Sequence, residues 1–146
     1  MRMNFAAVAP EVYRHLVALD AFAHERIDRR LADLVKLRAS VLNNCAYCVD
    51  LHSTDSIKAG EDTRRLLAVA VWRESHFFSA EERVALEFTD AVTRLGEHGV
   101  PDELWERVTA TFDERQVAGL LAEIIAINAF NRIGVTMDSA TELRLG

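Results

Sequence analysis

Apolar residues recur at intervals of three and four along most of this 146-residue chain. That spacing puts them on one face of an α-helix, and no period-2 run is long enough for a strand. Starts and stops punctuate the pattern. Pro10 and Pro101 each fit a helix start, Ser79-Ala80-Glu81-Glu82 has capping-box spacing, Asp113-Glu114-Arg115-Gln116 offers a similar start, and Gly60 and Gly96 sit where helices should stop. Six helices are predicted, over about 10–25, 28–43, 45–59, 62–73, 80–96 and 101–134, the last broken near 112–113.

Two stretches are apolar nearly all round: Leu66 to Trp72 and Leu120 to Ile127, the latter interrupted by Glu123. A helix apolar on every side is buried on every side. Either these are central core helices of a monomer, or part of their surface is a subunit interface. The run from Asp33 to Cys45 is faintly echoed by Gln116 to Phe130, each a helix ending in asparagine and small residues; an old duplication and simple amphipathic likeness both account for it.

Composition narrows the class. Half the residues are apolar and only six are Gly and two Pro, so the chain is expected to fold compactly as one domain over 1–146. The formal net charge of −6, with no local Lys/Arg cluster, argues against a nucleic-acid surface. Met1 to Val12 lacks the continuous apolar stretch of a signal peptide, and no uninterrupted apolar run approaches the ~18 residues of a membrane span. A cytoplasmic protein with no membrane contact is expected, where a cycling dithiol is more plausible than a structural disulfide.

That matters because the two cysteines of the chain are three apart, in Cys45-Ala46-Tyr47-Cys48-Val49-Asp50-Leu51-His52. Asn43-Asn44 is a poor helix interior and a good N-cap, so a helix is predicted to begin near Cys45. Its N-terminus carries partial positive charge, and thiols so placed have depressed pKa values. The two thiols, one turn apart, are close enough to form a disulfide. His52 follows Cys48 by four residues and shares its helix face at roughly 5–6 Å. The arrangement supplies a nucleophile, a resolving thiol and a proton-transfer group. A buried Cys-x-x-Cys with a core histidine is the inert alternative. Zinc held by Cys45, Cys48, His52 and Asp33 is another, weakened because structural zinc draws on two separate ligand pairs and His15, His24, His76 and His98 are scattered. Neither cofactor nor metal is expected. Trp72 reads as core, and Asn128, Asn131 and Arg132 as structural polar groups on an apolar helix.

The run from Leu31 to His52, together with Ala70 to Ser75 and Ala126 to Ile133, resembles the carboxymuconolactone decarboxylase-like, alkylhydroperoxidase D-like family over about residues 10–137. The resemblance implies an all-α helical bundle that assembles as trimers or hexamers, with peroxidase or thiol–disulfide activity. It implies that Cys48 is the peroxidatic cysteine, Cys45 its resolving partner and His52 the relay histidine. The family's relay glutamate lies twelve residues before the first cysteine, where this chain has Asp33. Family prototypes carry histidine between the cysteines, where this chain has Tyr47. The decarboxylase members work without the cysteine pair, so its presence argues against lactone decarboxylation.

The expected function is a thiol-dependent hydroperoxide reductase, with a hydroperoxide as substrate and an external thiol or dithiol as electron donor. A reductase of protein or lipoyl-like disulfides and a non-catalytic redox-sensing oligomer are the competing readings. Peroxide turnover separates the first from the others.

Overall fold

The computed structural model describes residues 1–143, and every regular element among them is helical. Eight α-helices follow in order: α1 Phe5–Val8, α2 Pro10–His24, α3 Arg29–Leu42, α4 Ala46–Lys58, α5 Thr63–Ala68, α6 Ala80–Thr93, α7 Asp102–Thr111 and α8 Glu114–Thr136. Short 3₁₀ turns occupy Val69–Val71 and Ser139–Glu142. The six predicted helices are all present; the last divides into α7 and α8 at Phe112-Asp113, and the additions are the single-turn α1 and the final 3₁₀ turn.

The starts have the anticipated chemistry. Ser79 accepts from the Glu82 N–H while Glu82 accepts from the Ser79 N–H, and Asp113 and Gln116 form the same reciprocal pair at the head of α8. Asp28 and Asp62 cap α3 and α5. The predicted cap of α4 is corrected. Asn43 closes α3, Asn44 adopts a left-handed backbone (φ 53°), and Cys45 itself is the N-cap. Asparagine tolerates that conformation better than most side chains, so it serves as the corner between the helices.

Helix α8 runs through the middle, packed against α2, α3, α4, α6 and α7. By length and composition it could cross a membrane; here its apolarity is explained by burial, with Leu120, Ile124, Ala126 and Ile127 almost wholly enclosed. One core cluster joins Ile27, Val35, Phe88, Val108, Leu120 and Ile124, and a second joins Leu34, Leu37, Val69, Trp72 and Leu86. Trp72 is core, as expected, and its indole N–H donates to Asp90.

Polar bonds fix α8 to the end of α3 next to the cysteines. Asn43 donates to both Asn128 and Asn131 at 2.9 Å, and Asn131 donates to the Ser40 hydroxyl at 3.0 Å. Arg132 donates to Asn128. Asn131 is fully buried and Asn128 partly so, and both are satisfied within the chain, which agrees with their structural reading.

Candidate active site

The corner at Asn44 delivers Cys45 to the start of α4, and Cys48 follows one turn later. The two form a disulfide with Cα atoms 5.3 Å apart. Both are buried, Cys45 at 1% and Cys48 at 4% exposure. The Cys48 N–H points at Cys45 Sγ, 3.3 Å away. A thiolate at Cys45 would therefore meet a donor and the positive end of α4. On the far side stands Gly134 of α8. A Cβ there would lie 3.0 Å from Cys45 Sγ and 3.4 Å from Cys48 Sγ, so a residue without one lets α8 approach the sulfurs.

A cavity of about 310 Å³ opens onto Cys48. Its apolar wall includes Tyr13, Val17, Leu51, Ile127 and Phe130, with the Tyr13 and Phe130 rings 5.8 Å apart. Burial, aided by neighbouring Tyr47, pushes the Tyr13 phenol pKa up. The polar lining is His52, Lys36, Asp20 and Glu123. Cys45 faces a smaller recess of about 130 Å³ beside Asp138 and Ala140. Tyr47 and Gly134 border both spaces.

His52 is neutral over the physiological range: burial, and then the nearby Lys36 ammonium, lower its pKa to about 4. It is therefore a hydrogen-bonding partner and proton acceptor for the Cys48 side of the cavity in its resting charge state.

The structure brings Cys45, Cys48 and His52 together and sets Asp33 elsewhere. Asp33 lines a separate cavity with Arg29, Ser56 and Glu61, and its nearest cation is Arg29 at 3.6 Å. Its carboxyl pKa is raised by burial, against the pull of Lys36 and Arg29. The acids that border the Cys48 cavity are Asp20 of α2 and Glu123 of α8.

These acids surround Lys36. Its Nζ lies 2.6 Å from Asp20, 2.9 Å from His24 Nε2 and 3.6 Å from Glu123. An ammonium has no acceptor, so it donates to His24 Nε2. Asp20, His24 and Glu123 could by themselves chelate a cation; the Lys36 ammonium is already that cation. Glu123 is fully buried, and burial, reinforced by the nearby Asp20 carboxylate, raises its pKa to about 8 against the pull of Lys36. The sequence signal for this cluster was the lone acid in the apolar stretch 120–127, which needed a cation from another helix.

A disulfide-bonded Cys-x-x-Cys thus lies buried at a helix start of an all-α bundle, backed by a glycine and bordering a cavity shared with a histidine. The chain belongs to the carboxymuconolactone decarboxylase family, whose model matches residues 10–91. It is 36% identical to the Bacillus subtilis protein YdfG over 139 residues, 94% of this chain and 95% of that one. It is 36% identical over 112 residues to Escherichia coli YnjA, covering 77% of this chain and 61% of that one. Its fold matches the crystal structure of ATU0492 from Agrobacterium tumefaciens, a protein of unknown function suggested to be an antioxidant defence protein AhpD, with a TM-score of 0.92, 35% identity and 99% of each chain covered. It also shares its fold with the debrominase Bmp8, whose structure contains 2,3,4-tribromopyrrole, at a TM-score of 0.79 and 19% identity over 90% of this chain and 71% of that one.

Proposed function

We propose that this protein is a thiol-dependent hydroperoxide reductase in which Cys48 attacks the peroxide and Cys45 resolves. The observation that carries this reading is the division of the disulfide between two spaces: Cys48 borders the larger cavity with His52, and Cys45 lies behind it under the Cys48 N–H. The Cys48 thiolate attacks the distal oxygen of R–O–O–H, the O–O bond breaks, and the alkoxide takes a proton to leave as an alcohol. Cys45 then attacks the sulfur of the Cys48 sulfenic acid and water departs, leaving the disulfide. An external thiol or dithiol supplies two electrons and two protons to restore both thiols. The N-cap position of Cys45 supports its role, since a stabilised thiolate is both a ready nucleophile in resolution and a good leaving group in reduction.

His52 accepts the Cys48 proton on activation, and once Cys48 is a thiolate the opposite charge favours the imidazolium. The mostly apolar wall of the cavity suits an organic hydroperoxide. Asp33, bordering another cavity, acts on this site only through its field.

We also propose a homo-oligomer, trimer or hexamer, acting in the cytoplasm. The two stretches apolar all round keep Leu67, Val71, Leu121 and Ile125 exposed on the single chain, and such faces suit a subunit interface.

Steady-state consumption of tert-butyl hydroperoxide with dithiothreitol as donor tests the activity. Turnover that disappears in Cys48→Ser is expected. Consumption no faster than with dithiothreitol alone rejects it.

A further inference from the structure

The proposed reaction releases an alkoxide into a mostly apolar cavity, and a strongly basic leaving group needs an acid there. His52, which takes up the Cys48 proton, stands on α4 with the attacking sulfur rather than beside the leaving oxygen. Lys36 has its ammonium committed to Asp20 and His24 at 2.6 and 2.9 Å. Glu123 remains. It borders the same cavity as Cys48 and His52, it is fully buried, and among the described residues its carboxyl oxygens make no close hydrogen bond, the Lys36 and His24 nitrogens standing at 3.6 and 3.8 Å. A buried carboxyl oxygen without a partner is costly unless something else meets it in the working state.

Resting on the hydroperoxide reading, we propose that Glu123 is the general acid that protonates the departing alkoxide. The step balances as Cys48 thiolate plus R–O–O–H plus the Glu123 carboxylic acid, giving Cys48 sulfenic acid, R–OH and the Glu123 carboxylate. The ionisable groups that face Glu123 are Lys36 on α3, Asp20 and His24 on α2, and His52 across the cavity. Asp20 and His24 are each about one-third exposed, so the cluster around Glu123 reaches solvent. Burial and the nearby Asp20 carboxylate, against the pull of Lys36, keep the proton on Glu123 up to about pH 8. The role falls to a helix remote in sequence from the position of the relay acid at Asp33.

An acid is required in proportion to the basicity of the leaving group. The test is single-turnover oxidation of prereduced protein below pH 7, wild type against Glu123→Gln, with tert-butyl hydroperoxide, which expels a strongly basic alkoxide, and peracetic acid, which expels weakly basic acetate. Glu123→Gln should slow tert-butyl hydroperoxide by about 10²-fold or more and peracetic acid by less than about threefold. The alkaline decline of the wild-type rate with tert-butyl hydroperoxide above about pH 8 should be absent in the variant. Equal slowing of both substrates, or of neither, overturns the assignment while the hydroperoxide reading stands. Failure of the wild type to lose thiols with either substrate removes both. Should Glu123→Gln not fold, the wild type alone decides: its preference for peracetic acid over tert-butyl hydroperoxide should be smaller than that of free cysteine at the same pH, and an equal preference overturns the role.

Discussion

Gly134 of α8 and Cys45 at the head of α4 are in close contact: a Cβ on Gly134 would stand 3.0 Å from Cys45 Sγ. Two effects compete on substitution. Alanine in a helix interior gains about 1 kcal/mol over glycine. Overpacking a filled site costs about 1–3 kcal/mol. Gly134→Ala is expected to be neutral to mildly destabilising, and Gly134→Val, with more bulk and lower helix propensity, to lose about 2 kcal/mol or more. The loss should grow under dithiothreitol, because unbonded sulfurs need more room. Urea denaturation of oxidised and reduced protein checks this; a Val variant as stable as wild type in both states contradicts the contact.

His52 and Asp33 should separate in their effects. His52 borders the Cys48 cavity and Asp33 does not. His52→Ala is expected to lower the single-turnover rate with hydroperoxide by about 10- to 10³-fold, towards the scale of general acid–base assistance. Asp33→Asn should change it by less than about threefold, and Asp33→Glu should do no more. Stopped-flow oxidation of the reduced variants decides; an Asp33→Asn defect equal to that of His52→Ala would restore Asp33 as the relay acid.

The sequence made the helices legible because their signals are local. Apolar spacing, the Ser79 and Asp113 capping boxes and the break before Asp113 all lie within one or two turns. That Cys48 and His52 share one helix and border one cavity follows from the same local spacing. What escaped was carried by contacts between distant segments. Lys36, Asp20 and Glu123 meet only when α2, α3 and α8 pack, and nothing in the residues around each names the other two. Asp33 was placed by correspondence of spacing, and three residues along the same helix it is Lys36 that reaches the cavity. Asn44 was read as a cap because asparagine suits both a cap and a left-handed corner, and local preference does not choose between them.

His52, which is partly buried, and the fully buried Glu123 give opposite pH dependences of stability. His52 falls from an ordinary 6.5 to about 4 in the fold, so the unfolded chain binds more protons between those values and stability rises with pH there. Glu123 rises from an ordinary 4.5 to about 8, so the folded chain holds the extra proton and stability falls as pH increases through that range. Below 6.5 the two slopes oppose each other; between 6.5 and 8 only that of Glu123 remains. Thermal melts should show wild-type stability declining from pH 6.5 to 8 and Glu123→Gln nearly flat. Equal slopes in the two proteins would contradict the shifted Glu123.

The apolar residues exposed on the single chain predict association. Leu121 and Ile125 of α8 and Leu67 and Val71 near α5 are expected to lie in subunit contacts, and obligate interfaces bury on the order of 2,000 Å² or more. Light scattering at micromolar concentration should give a trimer or hexamer of the 16.4 kDa chain. A mass equal to one chain rejects the assembly. With Leu121→Glu and Ile125→Glu the mass should fall without loss of helical content.

The division of labour between the two cysteines is tested most directly by single-turnover oxidation of Cys45→Ser and Cys48→Ser with tert-butyl hydroperoxide, the sulfenic acid being trapped by dimedone and located by mass spectrometry. The account predicts one equivalent of peroxide consumed by Cys45→Ser with the adduct on Cys48, and no fast consumption by Cys48→Ser. An adduct on Cys45 in Cys48→Ser, with none on Cys48 in Cys45→Ser, would contradict it.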